Sequence, residues 1–346
     1  MFDTVGFGFY KELDISKLEG FWRKTSRAPF DKWRRTRYEH SIKLKEGRSC
    51  NLTYYPQNLS GDYNPLLIYE FSIPKFIYGT NIIPVYDIDQ MVEVSNKRLG
   101  ELESYPYFFP HIDVCDGYLT RIDVVYNHRV GAENIDYYLR AFPKLHYPHH
   151  KTQLFDSGVY FITKEFTTKF YAKEWESHDE RAAGILRQEQ TIHANKIKEI
   201  TGKRGPTIFD FTRAMAQARL NYDLKQLHIN PQVITTQDQA IRILREKYKD
   251  KPKKADNRIG FYLGTQGMTP EQIMKIYHKS TRTINKYLQE IVDAGLSTII
   301  SEKTLPNLTI DFDQDEIIAK KMAEENSDTL GLSEELLDET ENDPKS

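Results

Sequence analysis

The sequence predicts an α+β fold: an antiparallel or mixed central sheet with flanking helices, followed by a helical domain that contains a helix-turn-helix-like element. Three observations lead there. β-rich runs recur between residues 66 and 192, helical spacing takes over from residue 193, and two short capped helices follow near residues 269–295. At 346 residues the chain can bury a substantial core.

The first run, residues 66–73, is apolar apart from Glu70 and stops before Pro74, as a sheet strand would. A turn at Gly79 precedes residues 86–104, where Ile88, Met91, Val92 and Leu99 sit near helical spacing, and an aromatic loop spans Tyr105 to His111. In residues 119–127 a period of two puts Arg121, Asp123, Val125 and Asn127 on one face, predicted polar and functional. Ile122, Val124 and Tyr126 take the opposite, packing face. Gly131 to Leu145 reads as a short helix. Residues 158–163 and 167–173 read as a hairpin whose second strand carries Lys169, Tyr171 and Lys173 on one face. Residues 185–192 fit a strand or a helix end; as a strand, they point Arg187 and Glu189 the same way. Residues 193–255 read as mostly helical, with Lys249 to Lys254 a basic linker. Thr269 and Gln272 then form a capping box, and Ser280 or Thr281 caps a second helix striped by Ile284, Tyr287, Leu288 and Ile291.

The charge is unevenly spread. Of 48 bases and 50 acids, residues 311–346 hold 3 and 13, which leaves 45 bases and 37 acids in residues 1–310. A basic body suits a polyanionic partner, and the acidic tail reads as disordered. The segment from Phe21 to Arg37 interleaves seven bases with Trp22, Phe30 and Trp33 and could grip phosphates and stack a base; an ordinary basic face fits nearly as well. Two cysteines, Cys50 and Cys115, exclude a disulfide framework, and His146, His149 and His150 read as loop histidines. With no long apolar run and no signal-like N-terminus, a cytoplasmic location without membrane contact is expected.

Tyr171 stands out among 22 tyrosines because a lysine and acids flank it in the stretch from Lys169 to Glu176. Conserving phosphodiester energy during cleavage needs a nucleophile that stays on the phosphate, a divalent cation to polarise the nonbridging oxygen, and acids to hold that cation. Tyr171 is the candidate nucleophile. Lys173 or a bound metal is expected to lower its phenol pKa from about 10 and stabilise charge on the phosphate. Asp123, Glu189 and Glu70 are oxygen donors suited to Mg2+ or Mn2+. The same spacing also suits plain ion pairs, Arg121 with Asp123 and Arg187 with Glu189.

Three stretches resemble the replication initiators of the filamentous-phage gene II/X family and their plasmid and prophage relatives. These are Glu70 to Asn81, with its Pro-Lys-x-x-x-Gly-x-Asn pattern; Thr120 to Tyr126, with Arg-Ile-Asp; and Phe170 to Glu176, followed by Leu186 to Glu189. The resemblance covers roughly residues 65–192. It implies a rolling-circle initiator that nicks one origin strand, keeps the 5′ phosphate on Tyr171, leaves a 3′-OH primer and later rejoins the strand. It also implies a divalent metal on Asp123 and Glu189, with Glu70 as third ligand. Lys75, Arg121 and Arg187 are expected at DNA, as are Arg282 and Lys286 of the second capped helix. Supercoiled or single-stranded origin DNA and a host polymerase and helicase are the expected partners; the sequence leaves the oligomeric state open.

The domains expected are a nicking and joining endonuclease at 1–200, a helical domain at 201–310 with its helix-turn-helix-like segment at 269–295, and the acidic tail at 311–346. Two other functions fit the residues alone. One is a noncatalytic DNA-binding regulator acting through residues 269–295. The other is a metal-dependent phosphodiesterase that uses water as nucleophile.

Overall fold

The computed structural model describes residues 1–19, 21–25, 37–43, 49–56, 64–103 and 112–330. Within them the strands are β1 (Phe2–Phe9), β2 (Arg23–Thr25), β3 (Arg37–Lys43), β4 (Ser49–Tyr55), β5 (Leu66–Ser72), β6 (Tyr118–Arg129), β7 (Lys151–Phe155), β8 (Gly158–Ile162), β9 (Phe166–Ala172), β10 (Ile185–His193), β11 (Val233–Thr235) and β12 (Leu296–Ile300). The helices are α1 (Ile15–Leu18), α2 (Ile73–Tyr78), α3 (Ile88–Glu103), α4 (Ala132–Ala141), α5 (Lys173–Ser177), α6 (Ala194–Thr201), α7 (Arg213–Gln226), α8 (Gln237–Lys247), α9 (Pro252–Gly264), α10 (Pro270–Tyr277), α11 (Thr281–Val292) and α12 (Phe312–Leu330). The fold is α+β. Ten strands form a sheet ordered β2-β3-β4-β5-β1-β6-β10-β9-β8-β7, and β11 pairs with β12. The pairs from β2 through β6, and β9–β8–β7, run antiparallel. No helix among the described residues is long and apolar enough to cross a membrane.

Contacts divide the chain into two units, residues 1–124 with 191–215 and 311–346, and residues 125–190 with 216–310. Both β6 and β10 are therefore split, and the grouping differs from a boundary at residue 200.

In the first unit, alternation sets the register. Cys50, Leu52 and Tyr54 of β4 lie opposite Phe71, Tyr69 and Leu67 of β5, so one face of each strand is buried. Phe2, Val5 and Phe7 of β1 continue this core, and Phe2 meets Phe211 edge-on at 6.3 Å. Gly6 lies in register with both Glu70 and Arg121. A Cβ there would come within 2.7 Å of Thr120 and 3.1 Å of both flanking side chains, so glycine lets those two converge above β1.

In the second unit, α4 and the turn after it cover one face of β9: Phe142 packs edge-on to Phe170 at 4.9 Å and to Tyr138 at 5.5 Å. The predicted hairpin is β8–β9, extended by β7. Residues 185–192 are strand, not helix end. The capping box of Thr269 with Gln272 starts α10 and Ser280 caps α11, as predicted. Ile284 and Ile291 of α11 join Leu244, Phe261, Ile273 and Leu296 in one core.

Three expectations are corrected. The face of β6 contrasted with the packing face is itself largely buried, since Asp123, Val125 and Asn127 are as enclosed as Ile122 and Val124 and only Arg121 keeps partial exposure. Lys249 to Lys254 is not a linker throughout, because α9 begins at Pro252, a residue suited to a first helical turn. The acidic tail begins as α12. Phe312 is buried edge-on to Tyr86, whose hydroxyl bonds Asp315, and Arg213 pairs with Asp313 at 2.7 Å and Glu316 at 2.6 Å. Acid-rich composition suggested disorder, but the acids of the first turn are matched by one arginine and the apolar stripe is docked. Tyr105 to His111, most of the Phe21 to Arg37 segment and residues 331–346 lie outside the described residues.

Removing the Phe312 ring leaves a cavity beside Tyr86. Phe312→Ala is expected to destabilise the protein by about 3–5 kcal/mol, read from urea unfolding; an unchanged midpoint would show that α12 does not dock in solution.

Candidate active site

The residues predicted to do chemistry gather in two groups, one in each unit. In the first, Arg121 of β6 grips Asp123 with two hydrogen bonds, Nε to Oδ1 at 3.0 Å and Nη2 to Oδ2 at 2.7 Å. Across Gly6 the same guanidinium reaches Glu70 at 3.7 Å. Asp123 is buried, so the forked arginine supplies the charge and donors that a sequestered carboxylate requires. Lys75 lies half-buried on α2.

In the second group, Tyr171 of β9 donates its hydroxyl to Glu189 Oε2 on β10 at 2.7 Å. Lys169, two residues earlier on the same face, donates to Glu189 Oε1 at 2.5 Å. Burial pushes the Glu189 carboxyl up. The Lys169 ammonium, the Tyr171 hydroxyl and the nearby Arg187 guanidinium outweigh it and hold that carboxyl below its ordinary range. Glu189 is thus a carboxylate at neutral pH with each oxygen occupied by a donor. Tyr171 itself is only 4% exposed. The opposite residue in register is Gly158, where an added Cβ would fall 2.2 Å from the Phe170 carbonyl oxygen and 2.6 Å from the Tyr171 Cβ. Only glycine permits this approach of β8 to the tyrosine.

Two predicted positions differ in role. Lys173 was expected to share the strand face of Tyr171. It instead opens α5, its side chain is fully buried and pairs with Glu176, and its ammonium lies 5.8 Å from the Tyr171 ring centroid. Strand periodicity cannot foresee that β9 ends at Ala172. Arg187, expected at DNA, has no exposed surface; its Nε donates to Asn127 Oδ1 at 2.8 Å. A buried guanidinium organises the interior and is not presented to a phosphate. Arg282 and Lys286, in contrast, are exposed one turn apart on α11.

The opposite face of β9 and β10 carries a network that sequence reasoning missed. Asp223 of α7 is fully buried and accepts hydrogen bonds from Tyr147 at 2.8 Å, Thr168 at 2.9 Å and both ways from Gln190 at 2.8 and 2.7 Å. Arg219 donates to Gln190 Oε1 at 2.9 Å. Burial pushes the Asp223 carboxyl up to about 6, the donors opposing it only in part. The available signal was one acid in the apolar stripe of Leu220, Leu224 and Leu227.

The carboxylates proposed for a divalent cation are already engaged, Asp123 and Glu70 by Arg121, Glu189 by Lys169 and Tyr171. Among the described residues, no three His, Cys, Asp or Glu side chains gather as a group that could hold a metal ion. The donor set in this arrangement does not fit a three-carboxylate cage.

No family model matches the chain, and no curated protein or solved structure matches it either.

Because the folded pKa of Asp223 is raised from 3.8 to about 6, the native state holds its proton more tightly than the unfolded chain. Its contribution to stability is greatest below about pH 4, declines as pH rises to about 6, and is flat above, a span of roughly 3 kcal/mol. Urea unfolding from pH 4 to 7 is expected to show this decline as a difference between the protein and Asp223→Asn; parallel profiles would refute it.

Proposed function

We propose that this protein is a DNA nicking and joining enzyme that uses Tyr171 as its nucleophile and serves as a rolling-circle replication initiator. The observation that carries the reading is the hydrogen bond from the Tyr171 hydroxyl to a carboxylate that Lys169 keeps ionised. It gives a phenol, an acceptor for its proton and a cation on one face of adjacent strands. The likeness of residues 65–192 to the gene II/X initiators supplies the biological role.

In the proposed reaction, the Tyr171 oxygen attacks a DNA phosphorus, forming the P–O(phenol) bond as the P–O3′ bond breaks. Bond formation to phosphorus acidifies the phenol, and its proton passes to Glu189 Oε2. The departing 3′ oxygen takes a proton from solvent, and Glu189 returns its own. Lys169 places positive charge beside the phosphoryl group as negative charge builds on it. One phosphodiester replaces another, so the 3′-OH can attack the phosphotyrosine and rejoin the strand with no outside energy source. Origin DNA is the proposed partner, with host polymerase and helicase acting downstream. Mg2+ or Mn2+ remains part of the proposal as a requirement to be measured.

A second reading rests on α11, whose exposed Arg282 and Lys286 suit phosphate or base contact. In that reading the protein is a DNA-binding regulator, and the Tyr171 cluster is structural.

The test is a denaturing gel of the full chain with labelled single-stranded and supercoiled origin DNA, in magnesium, manganese or chelator. A protease-sensitive adduct is expected with the wild type and none with Tyr171→Phe. Glu189→Gln is expected to slow adduct formation about 100-fold or more. Cleavage without adduct would replace the tyrosine by water, and DNA binding without cleavage would favour the regulator.

A further inference from the structure

We infer that Phe155 and Tyr160 form a base-stacking step that seats single-stranded DNA beside Tyr171; this rests on the reading of Tyr171 as nucleophile. β7 is the end strand of the sheet and all five of its residues are exposed. Phe155 is 44% exposed, and it lies against Tyr160 with centroids 4.3 Å apart at 42°. Tyr160 in turn has the Lys169 ammonium 5.5 Å from its ring centroid, and Lys169 holds the Glu189 that binds Tyr171. A continuous series of contacts thus leads from an exposed ring to the candidate nucleophile.

The register explains the shape of this surface. Phe155 and Tyr171 both lie opposite Gly158, one from each side. Their backbones are two strands apart, roughly 10 Å, and glycine places no side chain between them. Side chains on this face of β8 and β9, Tyr160, Ile162, Thr167 and Lys169, are partly exposed, whereas Val159, Phe161, Thr168 and Phe170 on the other face are buried. Lys151, at the other end of β7 on the Phe155 face, adds a positive charge.

The chemistry selects the occupant. Exposed rings with interleaved ammonium groups recognise base faces and phosphates together, which duplex DNA does not offer because its bases are stacked on one another. The ligand is therefore an unpaired strand, read without strong sequence preference. Lys169 would serve both the carboxylate and the phosphate next to the stacked base.

The experiment is fluorescence anisotropy of the full chain with a labelled twelve-nucleotide single strand of mixed sequence, in chelator. Phe155→Ala and Phe155→Leu are each expected to weaken binding roughly 5- to 10-fold. Leu154→Ala, on the other face of β7, is expected to bind as the wild type does. Equal affinity of both Phe155 variants and the wild type would overturn the proposal, as would sedimentation showing a dimer in the wild type and a monomer in Phe155→Ala with DNA binding intact, which would make β7 a self-pairing edge. The adduct gel separates the two readings. Stacking without adduct in the wild type removes the nucleophile and leaves the DNA site, whereas adduct formation that ignores Phe155 removes the DNA site and leaves the nucleophile.

Discussion

The constraint on which the second unit depends is that β10 buries polar side chains on both of its faces and each must find a partner. Arg187, Gln188, Glu189 and Gln190 follow one another along the strand, and all four are buried. Arg187 bonds Asn127. Gln188 bridges His128 at 3.0 Å and the Leu220 carbonyl at 2.9 Å. Glu189 takes Lys169 and Tyr171, and Gln190 takes Asp223. A buried group left without its partner costs about 1–3 kcal/mol, and more when charged. Four such groups in a row tolerate no shift of register, since a slip of one residue would move every one of them to the opposite face. The alignment of β9 against β10, and with it the contact of Tyr171 with Glu189, follows from satisfying the whole row at once.

The same principle shapes the first unit with different means. Asp123 is sequestered with the forked guanidinium of Arg121, which also leans over Gly6 toward Glu70. In both units a glycine in the intervening strand lets larger side chains from its neighbours share space: Gly6 between Glu70 and Arg121, and Gly158 between Phe155 and Tyr171. Omitting a side chain on the middle strand lets the neighbouring strands' atoms fill the space a Cβ would need.

Much of this was legible in the sequence, and the limits have physical causes. Alternation located β5, β6 and the β8–β9 hairpin, and side-chain capping located α10 and α11, because these signals are local. Period two also put Lys169 and Tyr171 on one face and Arg187 with Glu189 on another strand. It could not show that Lys169 is the partner of Glu189, since cross-strand pairing depends on a register that no single strand encodes. Lys173 was misplaced by one residue of strand length. Arg187 was misjudged because arginine is so rarely fully buried that exposure is the better guess from composition. Asp223 was overlooked because its partners come from β9, β10 and the Tyr147 turn. The helix α12 was missed because charge was averaged over residues 311–346, while Phe312 and Ala319 are buried within it.

The two faces of β9 and β10 hold carboxylates under opposite conditions, and this contrast bears on the proposed reaction. Asp223 is pushed toward protonation by burial, and its hydrogen bonds come from a hydroxyl of Thr168, a phenol and an amide, with Arg219 acting at longer range. Glu189 is equally enclosed but has an ammonium in direct contact, which reverses the balance. A proton-transfer argument from pKa alone would choose Asp223, because its value lies nearer neutrality. Geometry argues otherwise. Asp223 lies on the face covered by α4 and α7, whose helices pack over Phe170 and Gln190, whereas Glu189 lies on the face where Tyr160, Lys169 and Phe155 retain exposed surface. The perturbed aspartate reflects the closing of that interior, whereas the ionised glutamate has partly exposed neighbours, as the proposed reaction requires.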